Sequence, residues 1–203
     1  MQKMPEENIW DQRYATDSYV YGTQANDFLH SVAERLPDNA KVLCLAEGEG
    51  RNSVYLAERG HRVLAVDASR VGLGKAQRLA DQRQVRIECA IVDLAEYELE
   101  AQDWDVIVSI FVHLPPPVRR KLHRQVVAGL RPGGLYILEA YRPEQLRYAT
   151  GGPPVAELMM NLKDLQQELD GLTWLHAAEL DREVNEGQLH HGIGAVVQLL
   201  AQK

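Results

Sequence analysis

The sequence predicts an α/β chain: a doubly wound, mostly parallel sheet of seven strands that ends in an antiparallel hairpin. Three observations carry this. Short apolar runs recur at 41–45, 62–66, 86–92, 105–112 and 135–141. Segments of helical spacing, or a comparable crossover, separate each run from the next, which is the pattern of βαβ units with both sheet faces covered. Two longer runs, 173–185 and 191–201, are joined by the short connection Glu186-Gly187-Gln188, and so close a connection requires antiparallel pairing. Right-handed crossovers then stack helices on both faces of the sheet.

Each element has a local reason. The first strand, 41–45, reads Lys-Val-Leu-Cys-Leu. Residues 51–59 carry helical spacing at Val54, Leu56 and Ala57, and Gly60 ends that helix as a C-terminal cap residue. After the second strand, Ser69 caps a helix running to about residue 83, with Val71, Ala76 and Leu79 facing inward. A helix over 117–130 follows the fourth strand, and Pro132-Gly133-Gly134 turns into the fifth. Gly151-Gly152-Pro153-Pro154 breaks the chain before a helix at 163–169. The 203 residues read as one domain: an arm and first helix over 1–38, a βα core over 39–142, and helices with a hairpin over 143–203.

Composition narrows the partners. A net charge of −7 opposes a nucleic-acid backbone or an anionic membrane surface, since either needs a basic face. No apolar stretch approaches the roughly 20 residues of a membrane span, and residues 1–10 lack the pattern of a signal peptide. Cys44 and Cys89 sit in apolar runs and read as buried, reduced thiols. The expectation is a cytoplasmic protein, monomer or weak homodimer, without a metal site.

The stretch Leu45-Ala46-Glu47-Gly48-Glu49-Gly50-Arg51-Asn52 leaves the first strand, where ligands of open parallel sheets bind. Gly48 and Gly50 let a ligand approach the backbone. Asp67 ends the second strand 19 residues after Gly48, the spacing expected of a carboxylate that reads ribose hydroxyls. Asp93 ends the third strand, where it can accept from an exocyclic amine, and Leu94 can cover a ring. The ligand reads as an adenosine. Glu47 and Glu49 would repel a pyrophosphate but suit a tail with ammonium and sulfonium groups.

At these residues the chain resembles a class I S-adenosylmethionine-dependent methyltransferase, a Rossmann-like fold whose first motif runs apolar–acid–apolar–Gly–x–Gly–x–Gly. Here Cys44 replaces the usual acid and Ala46 the first glycine, and Glu47 is assigned the missing negative charge near the methionine amine. Trp10-Asp11-x-x-Tyr14, Tyr19-Val20-Tyr21-Gly22, Gly48-Glu49-Gly50-Arg51-Asn52-Ser53 and Leu189-His190-His191 resemble the small tellurite-resistance and thiopurine types.

The resemblance implies methyl transfer by in-line displacement to a small molecule, such as a chalcogen oxyanion or a thiol. The implied cofactor residues are Ala46, Glu47, Gly48, Gly50, Asn52, Asp67, Ala68, Ser69, Asp93, Leu94, Ser109 and Ile110. Ser69 also caps its helix, and Arg51 opens a solvated first turn. His113, His190 and His191 are candidate bases. Tyr14, Tyr21, Tyr141 and Arg142 are candidate acceptor contacts, with the aromatic arm closing over the cofactor. Two other readings compete: a nicotinamide-dependent oxidoreductase, although Ser53 stands where the dinucleotide fingerprint has its third glycine, and a protein that binds the cofactor without catalysis.

Overall fold

The structure is a computed structural model, which describes residues 8–148, 150–187 and 191–203. Seven strands form one sheet: β1 (Lys41–Leu45), β2 (Arg62–Asp67), β3 (Glu88–Ile91), β4 (Trp104–Ile110), β5 (Leu130–Tyr141), β6 (Thr173–Asn185) and β7 (His191–Gln202). Their order is β3-β2-β1-β4-β5-β7-β6. The first five run parallel, and β7 pairs antiparallel with both β5 and β6. Strand order reverses between β1 and β4, so a crevice opens at their C-terminal ends.

The period-two pattern of the strands builds two apolar layers. Val42 and Cys44 of β1, Val106 and Val108 of β4 and Ile137 of β5 face one side. There they meet α2 (Asp27–Val32), α3 (Arg51–Glu58) and α4 (Arg70–Gln82). Leu43, Leu45, Ile107, Tyr136 and Leu138 face the other, against α5 (Pro116–Gly129) and α6 (Leu162–Glu168). A short α1 (Ile9–Tyr14), capped by the Asn8 side chain, precedes them all. Ser69 caps α4 by accepting from Gly72 N, and Gly60 has φ +87, as the sequence predicts.

Three expectations shift. β3 is shorter than the run 86–92 because it is an edge strand, paired with β2 alone. For the same reason Cys89 is exposed rather than buried, while Cys44 is buried. β5 begins at Leu130, before the Pro-Gly-Gly turn, because Leu130 pairs with Trp104 and the register then shifts to Leu135 opposite Val106. No helix among the described residues is long and apolar enough to cross a membrane.

A buried polar clamp joins α5 to α6. Arg119 and His123 both bond Glu168, with Nε and Nη2 of Arg119 at 3.0 and 2.8 Å from its carboxylate and His123 Nδ1 at 2.7 Å. Arg119 Nη1 also donates to Met159 O. Burial works to raise the Glu168 pKa, but the bonds from His123 and Arg119 outweigh it and hold it at about 2. Glu168→Ala leaves Arg119 buried without its counter-ion, so it is expected to cost about 3–5 kcal/mol. A lower urea midpoint at unchanged slope would show this.

Candidate functional site

A cavity of about 700 Å³ lies over the C-terminal ends of β1 to β4. The arm, the turn after β1 and residues 151–154 wall it. This is within the roughly 300–1,000 Å³ of small-molecule sites. Its lining combines carboxylates from three consecutive strand ends, Glu47, Asp67 and Asp93, with apolar groups such as Leu94, Ile110 and Phe111.

The acids are built into the main chain. Asp67 accepts from Gly48 N at 2.8 Å and Ser69 N at 2.7 Å, which ties the end of β2 to the turn after β1. Burial raises its pKa, against those bonds. Glu47 caps α3 by accepting from Asn52 N at 3.0 Å and Ser53 N at 2.6 Å. Burial lifts its carboxyl to about 7, with the Ser53, Arg51 and Asn52 interactions opposing. Glu49 accepts from Val20 N at 2.8 Å and forms a buried ion pair with Lys75. Lys75 in turn donates to Thr16 O at 3.0 Å and Ser18 O at 2.6 Å. One ion pair therefore latches the arm onto the turn.

The glycines serve packing. A Cβ on Gly50 (φ +92) would come within 2.5 Å of Ala76 Cβ on α4, and one on Gly48 (φ +63) within 2.6 Å of the Tyr14 hydroxyl. Both positions thus let the arm and α4 close on the turn. Ala46 holds φ +45 without that freedom.

The structure brings Ala46, Glu47, Asn52, Asp67, Ala68, Asp93, Leu94, Ile110, His113, Tyr14 and Tyr21 to the cavity wall. The other candidates sit elsewhere. Ser69 is occupied as a cap and as a donor to Asp11. Ser109 is buried in the sheet, opposite Leu138 of β5. Tyr141 is buried beside the wall, with its ring 5.8 Å from His113 and 4.6 Å from Phe111. Arg142 pairs with Glu144 and Asp181. His191 is exposed and bonds Asn185, and His190 lies outside the described residues.

Arg51 departs most from expectation. It is buried rather than solvated, 2.6 Å from Glu186 of the β6–β7 connection, and Nη1 has no hydrogen-bond partner. Glu186 also accepts from Arg182 and Asn26, and Arg182 from β6 holds Glu139 of β5. His113 Nδ1 lies 3.0 Å from Leu158 O. A carbonyl only accepts, so Nδ1 carries the proton and Nε2 keeps a lone pair. That Nε2 is buried without a partner, and burial pushes the imidazole pKa down to about 4.

Sequence reasoning missed three parts of the wall. Arg13 stacks on Trp10 at 4.7 Å and donates to the Tyr21 hydroxyl; its place three residues after Trp10, one helical turn, was the available signal. Phe111 turns into the cavity at φ +55, which no local pattern announces. Gly151 and Gly152 have φ +110 and +92, so the Gly-Gly-Pro-Pro break forms a wall instead of a mere interruption.

The methyltransferase domain family matches residues 42–134. The chain is 26% identical over 157 residues to tRNA 5-carboxymethoxyuridine methyltransferase of Escherichia coli K12, which covers 70% of this chain and 59% of that one. It is 34% identical over 127 residues to arsenite methyltransferase of Aquipseudomonas alcaligenes, covering 57% and 37%. The chain therefore spans about three-fifths of the first relative and less of the second. Among solved structures, TehB from Haemophilus influenzae superposes with a TM-score of 0.70 at 19% identity, covering 96% of this chain and 65% of that one; that likeness is one of fold.

Lys75→Met is expected to leave Glu49 buried without its counter-ion and to free the arm, at a cost of about 3–5 kcal/mol. Hydrogen exchange should then accelerate at residues 14–21 before the sheet strands respond.

Proposed function

We propose that the chain is a class I S-adenosylmethionine-dependent methyltransferase, a reading supported by the methyltransferase domain match over residues 42–134 and the methyltransferase relative, and that it transfers a methyl group from S-adenosylmethionine to a small acceptor held in the same cavity. One observation carries this: Glu47, Asp67 and Asp93, from three consecutive strand ends, line one apolar cavity. That donor set fits a nucleoside with a cationic amino-acid tail. It fits a pyrophosphate poorly, because Glu47 and Asp67 flank the turn where one would bind.

When bound, the cofactor supplies an electrophilic methyl on a sulfonium sulfur. The chain's own residues bind, orient and exclude water. Asp67 uses one lone pair on each oxygen for main-chain N–H groups, and the remaining pairs are available to ribose hydroxyls. Asp93 and Leu94 take the base edge and face. Glu47 takes the ammonium, and Arg13, with Tyr21, the tail carboxylate. Tyr14, buried against the turn, closes the arm over it. Aligning nucleophile and methyl contributes on the order of 7–11 kcal/mol. The net charge of −7 supports a small acceptor over a polynucleotide.

Calorimetry with S-adenosylhomocysteine and with NAD tests the reading: the first is expected to bind and the second not. Asp93 is exposed, so Asp93→Ala should weaken the demethylated cofactor about tenfold or more with an unchanged thermal midpoint. Binding of NAD alone would overturn the assignment.

Glu47 adds a proton signature. With its pKa at about 7, the ligand-free carboxyl is largely protonated at pH 6. The unfolded chain, titrating at the ordinary 4.5, releases that proton first, so stability falls as pH rises from there through about 7. An arriving ammonium favours the carboxylate. Binding at pH 6 should therefore release up to about one proton, and close to none at pH 8.5. Heats measured in buffers of different ionisation enthalpy read this, and Glu47→Gln should abolish it.

A further inference from the structure

Resting on the methyltransferase reading, we infer that the acceptor is a small molecule that carries both an anionic group and a hydroxyl, thiol or amine nucleophile, the anion held by Arg51 Nη1 and the nucleophile's X–H accepted by His113 Nε2.

Both atoms belong to residues of the cavity wall, and both are buried polar atoms without a partner. A buried donor or acceptor left unmatched is costly. Their characters are opposite and fixed. Arg51 can only donate. His113 Nε2 can only accept, because Leu158 O fixes the proton on Nδ1. The Leu158–Met159 segment is itself held by Arg119, whose Nη1 donates to Met159 O. The imidazole is therefore a positioned neutral acceptor. A fully deprotonated oxyanion offers it no proton.

Strand order puts His113, after β4, and the Arg51–Glu186 contact on the side of the sheet toward β5 and β7, whereas Asp67 and Asp93 end β2 and β3 on the other. Arg51 starts α3, after β1, yet its guanidinium reaches Glu186 of the β6–β7 connection. His113 follows β4. Tyr141 of β5 connects them: its ring stacks on His113 at 5.8 Å, and its hydroxyl lies in the field of Glu186, Arg182, Glu139 and Arg51. The tail carboxylate has its own cation in Arg13, on the arm. Charge also permits an anion here. Within the buried part of the network Arg51 and Arg182 balance Glu139 and Glu186, Arg182 also reaching the exposed, solvated Asp27, and the sulfonium brings a further positive charge.

The step balances. As the X–CH3 bond forms, the C–S+ bond breaks and its electron pair stays on sulfur, giving a neutral thioether. The X–H bond breaks and its proton goes to His113 Nε2, giving an imidazolium that loses it to water once the products leave.

The test first confirms S-adenosylhomocysteine binding by the wild-type chain; its absence would sink the methyltransferase reading instead of this one. Three matched pairs are then offered with S-adenosylmethionine: thiosalicylate and thiophenol, salicylate and phenol, anthranilate and aniline. Tellurite and a tRNA transcript are run beside them. Product is read as S-adenosylhomocysteine, and each compound's affinity for the S-adenosylhomocysteine complex by calorimetry.

The expected result is that the carboxylated member of at least one pair binds and reacts about tenfold or more better than its neutral partner. In Arg51→Gln, and in Arg51→Gln/Glu186→Gln, which removes the charge pair together and guards against misfolding, that preference should collapse through KM. S-adenosylhomocysteine affinity should stay within about twofold, as expected for a group that serves only the acceptor. His113→Phe, which keeps a ring against Tyr141, should lower kcat by about a hundredfold at retained KM. Equal use of charged and neutral partners, binding of none of them, turnover of tellurite or tRNA alone, loss of S-adenosylhomocysteine affinity in the Arg51 variants, or an unchanged kcat in His113→Phe would each overturn the inference.

Discussion

Main-chain N–H groups held by three carboxylates fix the turn after β1, and the cavity takes its shape from those bonds. Glu47 holds the first turn of α3, Asp67 holds Gly48 and the entry to α4, and Glu49 holds the arm at Val20 and Tyr21. A helix start leaves N–H groups without internal partners, and a carboxylate satisfies two at once. The acids that mark the cavity electrostatically are thus the same groups that build it. Glu49 also lines the cavity, but its carboxylate is engaged by the arm's backbone and its charge is matched by Lys75.

Two buried charge systems flank the cavity and do different things. Lys75–Glu49 draws three carbonyls and two amides of the arm onto α4 and the turn. The Arg51–Glu186–Arg182–Glu139 chain ties α3 to β5, β6 and the hairpin connection, with Asn26 of the arm joining it. Buried pairs of this kind add little net stability because desolvation offsets their attraction, but breaking one half is expensive. Their effect here is geometric. They fix where the arm and the hairpin meet the sheet, and so where the proposed cofactor and acceptor halves begin.

The sheet was legible because its strands obey period two and its turns carry glycine, proline or a capping serine. Val42/Cys44 and Leu43/Leu45 go to opposite layers, as alternation requires. What local pattern could not supply was partner identity over long range. Arg51 reads as solvated in the first turn of α3 until Glu186, far along the chain, closes on it. Glu49 reads as a ligand acid until Lys75 is placed beside it. Cys89 reads as buried until β3 proves to be an edge. Ser109 sits at the expected strand end, but it is buried within the sheet opposite Leu138. In each case burial and charge pairing are tertiary properties, and they override the local propensity of the segment.

The matched domain family covers residues 42–134, which contain the glycine turn, Asp67, Asp93, Arg51 and His113. The groups that fix the last two lie beyond it: Tyr141, Leu158 and Glu186 come from β5, the segment before α6 and the hairpin connection. Gly151 to Pro154 close the same side. Relatives named for substrates as different as a tRNA and arsenite are alike over part of this chain. On the proposed reading, a cofactor half within the matched region and an acceptor half built from the later segments would reconcile those two facts. The acceptor is then matched to two buried atoms of residues in the cavity wall that have no hydrogen-bond partner, the charged donor Arg51 Nη1 and the neutral lone pair of His113 Nε2.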